Sequence, residues 1–129
     1  MATMSELKAT TTARERVEAA VAKAQASQPR LNAVVTFVDV EDQLALNTIP
    51  DGPFYGMPVV LKDNVCTRGV RTTASSKILD NYVPVYNAHI VDKLKAAGAV
   101  VIAKASMDEL AMGGTNLTAA TGPVYNPYD

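Results

Sequence analysis

Apolar residues recur at Ala13, Val17, Ala20, Val21 and Ala24, with Arg14, Arg16, Glu18 and Lys23 between them. That spacing is the stripe of an amphipathic helix. Thr12 and Glu15 form a capping-box pattern at its start, and Pro29 stands just past its expected end, so the pattern predicts a helix over roughly 12–27. The run Ala33 to Val38 predicts a strand, and Asp39 to Leu46 a short helix. Pro50, Gly52, Pro53 and Gly56 then mark residues 47–56 as a loop that re-aims the chain. Two nearly continuous apolar runs follow, Met57 to Lys62 and Ala99 to Ala103. Such runs read as strands buried on both faces. Between them Ile90, Val91, Leu94 and Ala97 share one side of a helix, with Asn87 as its expected N-cap and Gly98 at its end. Strand, crossover helix and strand make a right-handed βαβ unit. The expected class is α/β, a mixed, mainly parallel sheet covered by helices.

Ligands in such sheets gather outside the carboxyl ends of the strands. Lys62 lies at one such end, and Lys104, Ser106 and Asp108 lie at the next. The connection from Val65 to Tyr86 is long, with a small, polar, glycine-containing stretch from Thr67 to Ser76, as functional loops often have. Lys62 is the strongest candidate for chemistry. An ammonium buried at a strand tip is costly to desolvate, so a lysine there is driven toward its neutral form and can act as a base. The plainer reading is a strand-end lysine whose ammonium reaches solvent, and Lys104, in the same position one strand later, keeps that reading open. Asp63 and Asn64 read either as turn formers or as residues that hold the loop so that Lys62 stays aimed. Ser75, Ser76 and Ser106 are possible nucleophiles, but no histidine motif accompanies them and His89 falls on the predicted crossover helix, so a Ser-His-Asp triad is poorly supported. Nothing local marks Cys66 as an activated thiol. The segment Met107 to Gly114 reads as a helical turn broken at a glycine pair; either it is a plain stop, or Gly113 and Gly114 let a substrate approach the backbone closely.

Composition narrows the classes. The chain has 129 residues, 48% hydrophobic and 19% charged, with a formal net charge of -1, as expected of one globular core. No basic patch suggests nucleic-acid binding by this chain alone. No apolar run reaches the length of a membrane span, and residues 1–12 lack a signal core. A single cysteine and a single histidine exclude a disulfide framework and a zinc cluster within one chain. A reducing, cytoplasmic setting is expected.

The segments Gly56-Met-Pro-Val-Val-Leu-Lys62-Asp63-Asn64, Arg71-Thr-Thr-Ala-Ser-Ser-Lys77-Ile-Leu79, Leu94 to Lys104, Met107-Asp-Glu-Leu-Ala-Met-Gly113 and Gly122-Pro-Val-Tyr-Asn-Pro127, in this order, resemble the amidase signature family. Within it the resemblance is greatest to the A subunits of glutamyl-tRNA(Gln)/aspartyl-tRNA(Asn) amidotransferases. It covers the chain from the first helix to Asp129 and implies that residues 1–129 are the N-terminal part of a single amidase signature domain. The family pairs a serine nucleophile, a second serine beside a cis peptide and a lysine base; Lys62 matches the lysine. Both serines and the oxyanion amides belong to a Gly/Ser-rich stretch that follows in the family, so this piece alone is expected to be inactive, with exposed apolar surface. Met112, Gly113 and Gly114 are expected to line the substrate cavity. The implied reaction is glutamine amide hydrolysis, with ammonia passed on for transamidation of misacylated tRNA. No cofactor is implied in this chain. The resemblance implies partner B and C subunits, with ATP and Mg used by a partner and tRNA engaged through the complex. Two other readings stand beside this one: a general amidase acting on small amides, and a non-catalytic interaction module built on the half-domain.

Overall fold

A computed structural model describes residues 3–46 and 52–128. Its elements are helices α1 (Met4–Thr10) and α2 (Ala13–Leu31), strand β1 (Val34–Phe37), helix α3 (Val40–Leu46), strand β2 (Pro58–Lys62), helix α4 (His89–Ala96) and strand β3 (Val100–Ala105), with single 3-10 turns at Lys77–Leu79 and Glu109–Ala111. Residues 47–51 of the expected loop lie outside the described residues.

The three strands form one mixed sheet in the order β1-β3-β2. The β2-α4-β3 unit pairs its strands in parallel, and β1 joins β3 antiparallel. Helices cover both faces. Val17, Val100, Ile102 and Ala103 pack with residues of α2 and α3 on one face. Leu61, Val91 and Val101 pack with Val59, Val65, Ala88 and Leu94 on the other, beneath α4. The central strand is buried from Val100 to Lys104, as a strand covered on both sides should be.

One irregularity decides where the strand-end side chains go. Val59 pairs with Val101 but Val60 pairs with Ala103, so Ile102 is bulged. A bulge inserts one residue into the alternation of faces. Ile102 and Ala103 accordingly pack on the same face. Lys104 is thereby returned to the α4 side, in register with Leu61, while Lys62 pairs with Ala105 and faces the opposite way.

The capping box of α2 is present: Thr12 accepts from the Glu15 amide and Glu15 accepts from the Thr12 amide. Three sequence expectations need correction. Pro29 lies inside α2 rather than beyond it. The helix carries the proline into its last turn because that turn is held from outside: Gln28 hydrogen-bonds both the amide and the carbonyl of Val34, and Asn32 caps the helix in a left-handed conformation with φ 51. The N-cap of α4 is Ala88, not Asn87, and it makes no side-chain cap bond. The Asn87 side chain is already occupied, accepting from the Arg68 amide and donating to Asp92. Ile90 is 52% exposed, so only Val91 and Leu94 of the expected stripe join the core cluster. Helix α1, capped by Thr3 and Glu6, adds an element that the apolar pattern does not signal.

Candidate active site at the strand ends

Lys62 closes β2 and is exposed, its side chain making no hydrogen bond or ion pair with another described residue. The expectation of a buried amine at this position is overturned within this chain. Its face of the sheet edge is left open, and Val60, two residues earlier on the same face, is 46% exposed.

The backbone that carries Lys62 is anchored firmly. The Val65 amide donates to the Lys62 carbonyl at 3.0 Å, closing a turn over 62–65. The Asp63 amide donates to Ala105 at 3.0 Å, extending the parallel ladder by one step. The Asp63 side chain is completely buried. Its Oδ2 accepts from the Thr73 amide at 3.1 Å, from the Thr73 hydroxyl and from the Ser75 amide at 3.3 Å, while its carbonyl accepts from Ala74 at 2.9 Å. Oδ1 has no partner among the described residues. Asp63 therefore does more than form a turn: it holds Ala74 and Ser75 in left-handed conformations (φ 49 and 51) that cost non-glycine residues energy unless their surroundings impose them. Asn64 is an exposed turn residue.

Lys104 is the buried amine of this site. It is 0% exposed. Its Nζ donates to the Val65 carbonyl at 2.5 Å and to the Thr72 hydroxyl at 2.9 Å, with Thr67 Oγ1 at 3.4 Å. Both hydroxyls direct their own protons elsewhere, Thr67 to the Val65 carbonyl and Thr72 to the Val70 carbonyl. Every neighbour of Nζ is therefore an acceptor, and the group sits as a donor of three hydrogen bonds. Burial pushes it below the ordinary lysine range, partly offset by the neighbouring Asp63 carboxylate.

Ser75 and Ser76 are 1% exposed and committed to structure. Ser75 Oγ accepts from the Met107 amide at 3.1 Å. Ser76 Oγ donates to Glu109 at 2.6 Å and accepts from the Ile78 amide. The two serines tie the 73–76 turn to the segment after β3. Ser106 Oγ lies 3.5 Å from the Thr121 hydroxyl. His89 is an exposed residue at the start of α4, and Cys66 accepts from the Tyr86 hydroxyl at 3.4 Å. No group of three His, Cys, Asp or Glu residues able to hold a metal occurs among the described residues.

Met112, Gly113 and Gly114 are exposed. A Cβ on Gly113 would lie 2.6 Å from Cβ and Cγ of Asp108, so the close approach at this position is to Asp108; Gly114 borders open space. Asp108, which no sequence pattern marks as an anchor, organises the loop. Its carboxylate accepts from the amides of Thr115, Asn116 and Thr118 and from the Thr118 hydroxyl. The amides of Asn116 and Thr118, foremost, hold its carboxyl down at about 2. A folded value below the ordinary one means that the loop gains its full support above the usual carboxylate pKa of about 4 and loses it as pH falls toward 2. The amide protons of Asn116 and Thr118 should therefore titrate together with a midpoint near 2, and this transition should vanish in Asp108→Asn. A midpoint near 4 would show that these bonds do not persist in solution.

No helix among the described residues is long and apolar enough to cross a membrane. The family model described as Amidase matches residues 15–129. The chain is 48% identical over 126 residues to the A subunit of glutamyl-tRNA(Gln) amidotransferase from Lachnospira eligens, covering 91% of this chain and 26% of that protein. It is 43% identical over 114 residues to the same protein of Carboxydothermus hydrogenoformans, covering 81% of this chain and 23% of that one. Among solved structures, the A subunit of glutamyl-tRNA(Gln) amidotransferase from Thermotoga maritima superposes with a TM-score of 0.74 at 38% identity, over 90% of this chain and 25% of that chain. A 6-aminohexanoate cyclic dimer hydrolase in complex with substrate superposes with a TM-score of 0.81 at 30% identity, over 95% and 26%. The chain thus spans about a quarter of the length of the relatives it matches. With the match running from the first turn of α2 to Asp129, the chain belongs to the amidase signature family.

Proposed function

We propose that this chain is the amino-terminal part of the glutamine-hydrolysing A subunit of a tRNA amidotransferase, which supplies ammonia for transamidation of Glu-tRNA(Gln), Asp-tRNA(Asn) or both. The observation that carries the reading is Lys62: an amine with no partner among the described residues, on a backbone fixed by buried Asp63, in a chain 48% identical to such a protein. The turn that carries the amine is fixed by groups other than its own head, which leaves Nζ available to meet a hydroxyl within hydrogen-bond reach. In this reading Lys62 takes a proton through a bridging serine, and the nucleophilic serine attacks the side-chain amide of glutamine. Backbone amides stabilise the tetrahedral oxyanion. Both serines and those amides come from the remaining length of the enzyme, which also covers the open face around Lys62. Met112 to Gly114, presented by Asp108, border the substrate cavity. The partners are the B and C subunits, where ATP and Mg are used and misacylated tRNA is engaged, and the setting is cytoplasmic.

The cyclic dimer hydrolase shares this fold and favours a second reading, a general amidase for small amides. One ammonia assay separates the two. The complete enzyme should release ammonia from glutamine faster than from simple primary amides, with stimulation by the B and C subunits and misacylated tRNA. Preference for simple amides with no response to those partners would overturn the glutamine reading. The 129-residue chain by itself should release none; turnover above a no-protein control would refute the assignment of both serines to the remaining length.

A further inference from the structure

We infer that Lys104 is a positioning residue for Lys62, fixing through its buried ammonium the turn on which the base stands. The inference rests on the reading of Lys62 as the base.

The two lysines belong to neighbouring strands but do different work. Lys62 has an exposed side chain without a partner among the described residues. Lys104 is enclosed, and its three protons meet the Val65 carbonyl, the Thr72 hydroxyl and Thr67 Oγ1. Val65 is the link. Its amide holds the Lys62 carbonyl at 3.0 Å while its carbonyl is held by Lys104 at 2.5 Å. The turn after β2 is thus closed on one side by its own backbone and pinned on the other from β3. Thr67 and Thr72 extend the same cage along the loop. Asp63, the charged neighbour in the turn just after β2, is anchored separately through the Thr73 and Ser75 amides. Leu61 lies in register with Lys104, and Lys62 with Ala105, so the two lysines stand one step apart at neighbouring strand ends.

A methionine at position 104 would fill similar volume and donate nothing. The Val65 carbonyl and two hydroxyls would lose their donor, and the 62–65 turn would be free to drift. Because Lys104 does not touch the reacting atoms, its loss acts only through the placement of the base. A displacement of about 1 Å costs on the order of 10²-fold in rate, and it should appear in kcat rather than in KM.

The test is a double-mutant cycle in the complete enzyme, with ammonia release from glutamine normalised to folded protein. Lys104→Met should lower kcat by about 30-fold to 100-fold with KM little changed, and Thr72→Val by less, with Thr72→Ser restoring the rate. In a Lys62→Ala background the same substitutions should have no further effect on the residual rate, because the group they position is gone. Equal losses in both backgrounds would mean that the substitutions act independently of Lys62, and that result would overturn the inference. So would a folded Thr72→Val enzyme with unchanged kcat, which decides the matter if Lys104→Met does not fold. A Lys62→Ala enzyme that keeps its activity would instead overturn the reading of the base, so the two failures are distinguishable.

Discussion

Replacing Lys62 by alanine in the complete enzyme should reduce glutamine hydrolysis by about 10³-fold or more while leaving the fold intact. Both halves follow from the geometry. Within this chain the side chain is exposed and makes no hydrogen bond or ion pair among the described residues, so its removal takes no support from the packing of this part of the fold. The rate effect comes from a different source. A positioned general base contributes about 10²-fold to 10⁴-fold, and a base that activates a covalent nucleophile acts with it as a unit, so its loss costs close to the whole of the unit. Lys62→Arg sharpens the test. Arginine keeps the positive charge but does not deprotonate in proteins. It should be as inactive as alanine if the amine must accept a proton, and substantially active if only a cation is needed. Steady-state kinetics with a thermal midpoint for each variant decides this. An alanine variant within about tenfold of wild type, or an active arginine variant, would remove Lys62 from the role of base.

The βαβ unit was legible because two features coincide in the chain: apolar runs too continuous for an amphipathic strand, and an intervening helix ended by Gly98. The parallel pairing of β2 with β3 follows from them. What the pattern could not carry is which way each strand-end lysine points. Strict alternation counted from Val100 puts Lys104 on the face of Ile102; the bulge at Ile102 puts it on the other. A bulge is a fact of pairing between two strands, and no single run of residues encodes it. Burial of Lys62 failed as an expectation for a related reason. A run of apolar residues says that a strand needs cover, not that the cover lies within the same 129 residues. Asp63 was only half legible. A turn-forming aspartate is apparent from Lys-Asp-Asn, but its bonds to Thr73 and Ser75 span a loop whose closure depends on tertiary packing. Gly113 shows the reverse case. The sequence singled out a glycine where backbone approach matters, and the group that approaches is Asp108, whose carboxylate also holds the Thr115 amide.

Gly56 marks the position where the smallest substitution should do the greatest harm to the fold. Its φ is +65, and a Cβ built there would lie 2.4 Å from the Ala13 Cβ, 2.6 Å from Arg16 Nη2 and 2.7 Å from the Ala13 Cα. The last of these is helix backbone, which cannot yield as a side chain tip can. The contact exists because Arg16, 8% exposed, reaches over the first turn of α2 to the carbonyls of Gly56 and Tyr55 at 3.2 and 3.0 Å and to Thr11 at 2.6 Å. On the other side the Gly56 amide donates to Gly98 at 2.9 Å and the Met57 carbonyl accepts from Val100 at 2.9 Å. The residue therefore sits where α2, the start of β2 and the start of β3 are drawn together. Gly56→Ala should cost about 1–2 kcal/mol for the left-handed backbone and about 1–3 kcal/mol more for the overpacking. Gly69 separates the two contributions. Its φ is +74 but no atom lies within 4 Å of a built Cβ, so Gly69→Ala should carry the backbone cost alone. In thermal unfolding of the complete enzyme, of which this chain is about a quarter, Gly56→Ala should lower the midpoint beyond Gly69→Ala, at about 1 °C for each kcal/mol between them. Equal shifts would mean that the α2 latch gives way without strain. An unequal pair ties stability to chemistry, because a latch that cannot close also loses the register of β2 against β3, and with it the place of Lys62.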